Sequence, residues 1–290
     1  MPELSAQAVL RATTIVAQMG AEPFLKAPAE DVDIIISGRS YDPAPFAAFC
    51  IHRGVQESAA WHMGKIMECG GLCAVPKGRS MVATMHENSF ELAPPSRLER
   101  CTALSVAAHT FYEKSRPDRL PGPGGVLHLD NATYVQLADG RTVLVEGSKF
   151  VPTPTYQVKL EGVEHIGFRS IFIGGIRDPI LIKTIDLFLK SIRATTEQAF
   201  PKLSTHDGLQ LIFHVYGKNG VMGSMEQSSV IPQEVCVLGE VVAPTQDEAD
   251  AIAGFARVLV LHAAYDGQLA TGGNLALPLT PLKYFLYYLK

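Results

Sequence analysis

The stretch Asp33-Ile34-Ile35-Ile36-Ser37-Gly38-Arg39-Ser40-Tyr41-Asp42-Pro43 carries the decision about the fold. Its apolar run, polar only at the ends and closed by glycine, reads as a strand buried on both faces, the pattern of a parallel sheet. Asp42 and Pro43 then open a helix by N-cap and N1 chemistry, carried through Phe46, Phe49 and Cys50 to a stop at Gly54. An amphipathic helix over 5–19 is expected before the run. A second helix is expected over 56–69, with Ala59, Met63, Ile66 and Met67 on one stripe. Helix, strand, helix, helix is α/β material.

Further along, residues 96–115 read as helical. The tract Arg116-Pro-Asp-Arg-Leu-Pro-Gly-Pro-Gly-Gly125 is the strongest punctuation in the chain and reads as a linker or as a rigid loop over a site. Alternating segments on either side of Asp139-Gly140 signal a hairpin. Strands over 156–160 and 170–174 and a helix over 179–200 come next. Strands over 209–216 and 235–242 and a helix over 246–264 follow. The expected fold is therefore α/β plus α+β: an α/β part over 1–120, and over 121–290 a mixed sheet layer made of two β-β-α units. The apolar aromatic segment Tyr284–Leu289 is expected to dock into the core or a partner chain.

Composition narrows the function. With 25 Lys plus Arg against 29 Asp plus Glu, the net charge is −4. That excludes the concentrated positive field of a nucleic-acid or polybasic membrane protein. No run approaches the roughly 20 apolar residues of a membrane span, and the first residues show no secretory signal. Five scattered cysteines read as reduced thiols, which sets a cytoplasmic address.

The construction Gly38-Arg39-Ser-Tyr-Asp42-Pro43 has an echo in Gly175-Ile-Arg177-Asp178-Pro179. Each is expected to set an arginine at a strand's carboxyl end beside the positive end of a helix, where α/β proteins hold anions. Arg39 and Arg177 are candidate anchors for a carboxylate or phosphate. Asp42 and Asp178 either fix the guanidinium forks or merely cap helices. On the 56–69 helix, His62, Lys65 and Cys69 share a face, with Glu68 a turn from Lys65, a set able to move protons. The competing reading is a surface face with one ion pair. His86-Glu87-Asn88, His109, Glu113, His128-Leu-Asp130-Asn131 and His206-Asp207 are weaker candidates. Cys69 and Cys73 lack the Cys-x-x-Cys spacing and a matching pair, so no metal site is expected, and no cofactor is named by the residues.

Several blocks occur together in one order: Ile34–Pro43, His62-Met-Gly-Lys-Ile-Met-Glu-Cys-Gly-Gly71, Ser105–Lys114, Pro121–Gly125, Lys159-Leu-Glu-Gly162, Gly174–Pro179 and Gly273-Asn-Leu-Ala-Leu-Pro278. In these the chain resembles the acyclic terpene utilisation (AtuA-type) family over most of its length. The resemblance implies an intracellular protein of branched-acid and CoA-ester catabolism. It also implies an additional amino-terminal α/β segment with a Gly-rich loop. Nothing like that precedes Pro2, so a shortened member, a piece of a longer polypeptide or half of a split protein is expected.

The expected activity is proton transfer on a small carboxylic acid or acyl-CoA, as a hydratase, lyase or isomerase. Arg39 and Arg177 would hold the anion, His62 or Glu68 would act as acid or base, and Lys65 would stabilise an enolate. The alternatives are a non-catalytic subunit of an acyl-CoA-processing complex and a metal-dependent hydrolase using Asp42, His62 and Glu68. A homo-oligomer or partner subunit is expected.

Overall fold

The computed structural model describes residues 5–114, 116–205, 208–269 and 272–277. It divides into two compact units, Met1–Glu164 and His165–Lys290. In the first, the helix expected over 5–19 is cut short: α1 spans Ala6–Arg11, capped by Ser5, and β1 spans Thr14–Ala17. The β-branched run Thr13-Thr14-Ile15-Val16 loses rotamer freedom in a helix and favours extended backbone. After α2 (Glu22–Lys26) comes the apolar run, and here the reading fails. Residues 33–38 form no strand, and Ile34 and Ile36 are 78% and 93% exposed. An apolar run becomes a central strand only if neighbours take up its N–H and C=O groups. The parallel pairing seen is one bridge, Met19 to Ser40.

The two helices that follow are as expected: α3 (Ala44–His52) and α4 (Glu57–Met67). They cross at Gly64, where a Cβ would lie 2.7 Å from the Pro43 carbonyl oxygen, so only glycine allows this approach. Residues 59 to 66 of α4 are all buried, which makes it the central element of the unit. Around it come β2 (Ala74–Val75), β3 (Val82–Met85), β4 (Phe90–Ala93), β5 (Arg100–Cys101) and α5 (Ala103–Thr110). Strands β6 (Arg119–Gly122), β7 (Gly125–His128), β8 (Thr133–Gln136), β9 (Val143–Glu146), β10 (Lys149–Pro152) and β11 (Leu160–Val163) complete the unit.

The sheets of this unit are antiparallel, in the orders β3-β4-β9-β8 and β10-β7-β6, with two-stranded pairs β1-β11 and β2-β5. Phe90, Leu92, Val143 and Val145 alternate inward from β4 and β9 into one core with Ala60, Met63 and Ile66 of α4. The doubly buried parallel sheet expected for this half is therefore replaced by mixed α+β with half-buried antiparallel strands. The Pro/Gly tract lies inside this unit as the β6–β7 hairpin. Its turn sets Pro123 before Gly124 at φ +75°, the placement a type II turn requires. The hairpin expected at Asp139-Gly140 forms between β8 and β9.

The second unit contains β12 (Phe168–Ile176), α6 (Pro179–Lys183), α7 (Ile185–Ala199), β13 (Gln210–Tyr216), β14 (Val235–Ala243) and α8 (Gln246–His262). The long helix expected over 179–200 is interrupted at Thr184. The sheet order is β12-β14-β13, fully antiparallel, with Ala276 bridging Gly175 on the free edge of β12. That is the β-α-β-β-α connectivity of a ferredoxin-like plait with a one-residue trace of a fourth strand. The second β-β-α unit is present. The opening strand expected for the first corresponds to β11, which belongs to the Met1–Glu164 unit and pairs there with β1. The core packs Ile176, Leu211, Val237 and Val241 against Ile185, Ile192, Ile252 and Ala256. The segment Tyr284–Leu289 lies outside the described residues.

Candidate functional site

Four of the predicted residues come together where the α4 C-terminus meets the 39–42 turn. Lys65 and Glu68 form an ion pair one helical turn apart, each side chain 7% exposed. Burial, the dominant cause, raises the Glu68 carboxyl. The hydrogen bond and charge of Lys65 oppose it, while Asp42 and Glu113 push further up. The Lys65 ammonium also lies 5.7 Å from the centroid of the Tyr112 ring, a cation–π distance. Tyr41 is raised by its burial and by Glu68 and Asp42. The cluster thus places two carboxylates, a phenol and an ammonium within mutual electrostatic reach.

Arg39 is in the cluster, but its fork is taken. Nε and Nη2 donate to the two oxygens of Glu161 at 2.8 Å each. Nη1 donates to Asp42 at 2.6 Å and to the Ser40 carbonyl at 2.9 Å. Four of its five N–H groups are therefore engaged. Glu161, which also accepts from Gln18 at 2.5 Å, is pulled down to about 2, chiefly by the Arg39 hydrogen bonds. The arginine clamps β11 to the 39–42 turn, and Asp42 serves that clamp, with no capping bond to α3.

His62 occupies a different setting from the one expected. It is completely buried, edge-on to Phe90 and Tyr134 with centroids 5.3 and 6.0 Å away. Its Nε2 stands 3.5 Å from the Tyr134 hydroxyl, which donates to Thr110 at 3.1 Å. Burial, and then the charge of Lys114, lowers its pKa to about 3. A neutral, enclosed imidazole cannot serve as the acid that protonates a substrate near neutral pH. Its ring packs against Phe90 and Tyr134. Its Nδ1 and the Lys114 Nζ are buried without a hydrogen-bond partner among the described residues. Burial and then Lys65 lower Lys114 to about 8.

Arg177 and Asp178 belong to the second unit. Asp178 caps α6, accepting from Ile180 N and Leu181 N at 2.7 and 2.9 Å. Arg177 donates to the Gln233 carbonyl at 3.1 Å from an exposed position. The capping reading fits that aspartate. Among the weaker candidates, His109 bonds the Ile66 carbonyl at 3.3 Å, while His86 and His128 pair with Glu91 and Asp130 on the surface. His206 and Asp207 lie outside the described residues. Asp42, His62 and Glu68 do not form a ligand set, and no group of three metal-ligating side chains gathers among the described residues.

Glu68 lines a cleft of about 410 Å³ whose wall includes Cys69, the Gly70-Gly71 turn, Arg79 and Met81. Arg79, exposed on its rim, makes no ion pair or hydrogen bond among the described residues, so its donors are available. Sequence reasoning passed over Arg79, Tyr41 and Glu161. Gly78-Arg79-Ser80 sits in a segment without periodicity, and the other two acquire meaning only through long-range contacts.

The class defined by this geometry is a mixed α+β protein with a buried acid–base pair beside an open cleft. A family model described as acyclic terpene utilisation family protein AtuA matches residues 3–288, nearly the whole chain. The chain belongs to that family, whose role is catabolic. Neither a curated protein nor a solved structure matches it. No helix of the described residues is long and apolar enough to cross a membrane.

Proposed function

We propose that the chain is a cytoplasmic catabolic enzyme that acts by proton transfer on a small organic acid or its CoA thioester, as a hydratase, lyase or isomerase. The observation that carries this reading is the Lys65–Glu68 pair, almost wholly buried, with Glu68 on the wall of a cleft. A carboxyl raised by burial holds its proton closer to neutral pH and transfers it more readily than an ordinary glutamate. Glu68 is assigned as acid–base and Lys65 as the cation that steadies it and the enolate it forms. Arg79 replaces Arg39 as the group that receives the anionic end of the ligand, because the Arg39 donors are spent on Glu161 and Asp42.

The test is deuterium incorporation at carbon from D₂O into a panel of short branched acyl-CoAs and their free acids, read by mass spectrometry. Exchange by the native chain, lost in a Glu68→Gln variant that circular dichroism shows to be folded at the assay temperature, supports the assignment. No exchange with any member of the panel sinks it. A second reading, a subunit of an acyl-CoA-processing assembly or a homo-oligomer, is favoured by the exposed Ile34-Ile35-Ile36 run. Native mass spectrometry of the purified protein separates a monomer from these.

A further inference from the structure

The three-stranded sheet of the second unit is covered on one face. Leu211, Val215, Val237 and Val241 are buried in a core shared with α7 and α8, and their strand neighbours point the other way. Ile171, Ile173, Ile212, Tyr216, Leu238 and Val242 make up most of that opposite face. Each is half-buried or exposed, Ile171 at 58% and Ile173 at 45%. Strand register sets them side by side: Ile173 is opposite Leu238, and Ile171 and Ile212 flank Glu240. The Glu240 carboxylate is met within the sheet, by His214 at 3.0 Å and Arg169 at 3.4 Å. The face can therefore take an apolar cover without stranding a charge.

The described chain ends at the rim of this face, firmly held. Asn274 donates to the Val260 and Ala263 carbonyls, Leu275 is buried over Gly174, and Ala276 exchanges both backbone hydrogen bonds with Gly175 on the free edge of β12. In an antiparallel ladder the next hydrogen-bonded pair would set residue 278 against Ile173. Residue 278 is proline and has no N–H to give, so the sequence does not support a longer ladder along β12. It continues instead with Thr280 and Pro281, residue types of a helix N-cap and first turn. Leu282, Phe285, Leu286 and Leu289 follow at the i, i+3, i+4, i+7 spacing of one helical stripe, with Lys283, Tyr284, Tyr287 and Tyr288 off it.

We propose that residues 282–289 lie as an amphipathic helix across the open face of the β12-β14-β13 sheet, with Leu282, Phe285, Leu286 and Leu289 against Ile171, Ile173, Ile212 and Leu238. The dimensions agree. Three strands about 4.8 Å apart make a face roughly 14 Å across, and a stripe of this length runs about 12 Å. The residues between Ala276 and Leu282 reach up to about 20 Å, enough to bring the stripe over the middle of the sheet. A second copy of the chain is the poorer occupant. Strands of this length offer on the order of 400 Å² per partner, about half of what a stable interface buries. A tethered segment gives up no translational freedom on docking and needs less area.

Cys236 reports on this face. It stands two residues before Leu238 on the same side of β14, opposite Gly175 and Tyr216, and is half-buried. Cys69 is also half-buried, belongs to the first unit, and serves as an internal standard. The test measures the alkylation rates of both thiols by peptide mass spectrometry, in the full chain and in a chain ending at Pro281. The expected result is a several-fold faster reaction of Cys236 in the shortened chain, with the Cys69 rate unmoved. An unchanged Cys236 rate overturns the proposal. If the shortened chain does not fold, photo-crosslinking of the full chain with benzoylphenylalanine at position 285 decides. Links within one chain to residues 168–176, 210–216 or 235–243 are expected. Links to the first unit, links between two copies, or no link overturn it. Neither measurement depends on the proposed reaction.

Discussion

Replacing Lys65 with Met leaves the Glu68 carboxylate its burial and removes its cation. With both side chains 7% exposed, water screens the survivor little. Breaking such a pair by deleting one member costs about 3–5 kcal/mol while the remaining group stays charged. At roughly 2–4 °C per kcal/mol for a domain of this size, the melting temperature should fall by about 6–20 °C. The survivor has an escape, which is to take up a proton. Burial already raises Glu68, with Asp42 and Glu113 adding to it, and the two opposing contributions both come from Lys65.

In Lys65→Met the carboxyl therefore rises further, and its native pKa stands well above the unfolded one. Across that interval the native state binds more protons, so stability is present at low pH and is lost as pH climbs through the native pKa. Melting curves at about pH 5 and about pH 8 should show the variant close to the unsubstituted protein in acid and strongly destabilised in base. Lys65→Met with Glu68→Leu removes both charges, and should be near neutral or stabilising at either pH. Equal destabilisation of the single variant at both pH values would refute the reasoning. The cost would then be the lost contact of the ammonium with the Tyr112 ring and not an uncompensated charge.

Two further outcomes follow from the same unit. Gly64→Ala puts a methyl 2.7 Å from the Pro43 carbonyl oxygen and 3.1 Å from its Cβ. The clash of about 1–3 kcal/mol should outweigh a helix-propensity gain of up to about 1 kcal/mol, whereas Gly254→Ala, with nothing within 4 Å of the new carbon, should keep the gain. Chemical-denaturation midpoints of the two variants should therefore move in opposite directions. For the Arg39 clamp, carboxyl NMR should find Glu161 titrating near 2 and moving back up toward the ordinary carboxylate range in Arg39→Gln. Because that pKa is depressed, its stabilisation is present above the ordinary carboxylate pKa and lost as pH falls toward 2. An unshifted Glu161 in the native protein would leave Arg39 available for a ligand.

Much of the fold was legible where one local cause dominates. The Val235–Ala243 strand alternates buried and half-buried residues along its whole length, and α8 opens on Thr245, whose hydroxyl accepts from Glu248 N. Asp178 announced a cap and is one. The failures share a different cause. Ile34-Ile35-Ile36 has every local mark of a central strand, yet a strand is a relation between two segments. Among the described residues none pairs with this one beyond the single bridge at Ser40. The tract 116–125 has the composition of a linker, but three prolines and three glycines also suit a tight hairpin. Only the strand register of β6 on β7 decides between them.

The candidate site divides along the same line. Lys65 and Glu68 were legible because one helical turn is enough to bring i and i+3 together. What the helix could not reveal was their burial, each side chain 7% exposed, which makes the difference between a surface ion pair and a raised carboxyl. His62, on the same helix, shows the converse. The chemistry of an imidazole is fixed by what surrounds it, and Phe90 and Tyr134, from distant strands, turn a plausible acid into a neutral packing group. Arg39 drew attention for the right reason, a planar fork suited to carboxylates, but the carboxylate it grips is Glu161, 122 residues along the chain. An arginine is a ligand anchor only in proportion to the donors its own protein leaves free, and by that measure the exposed Arg79 beside the Glu68 cleft is the stronger claimant.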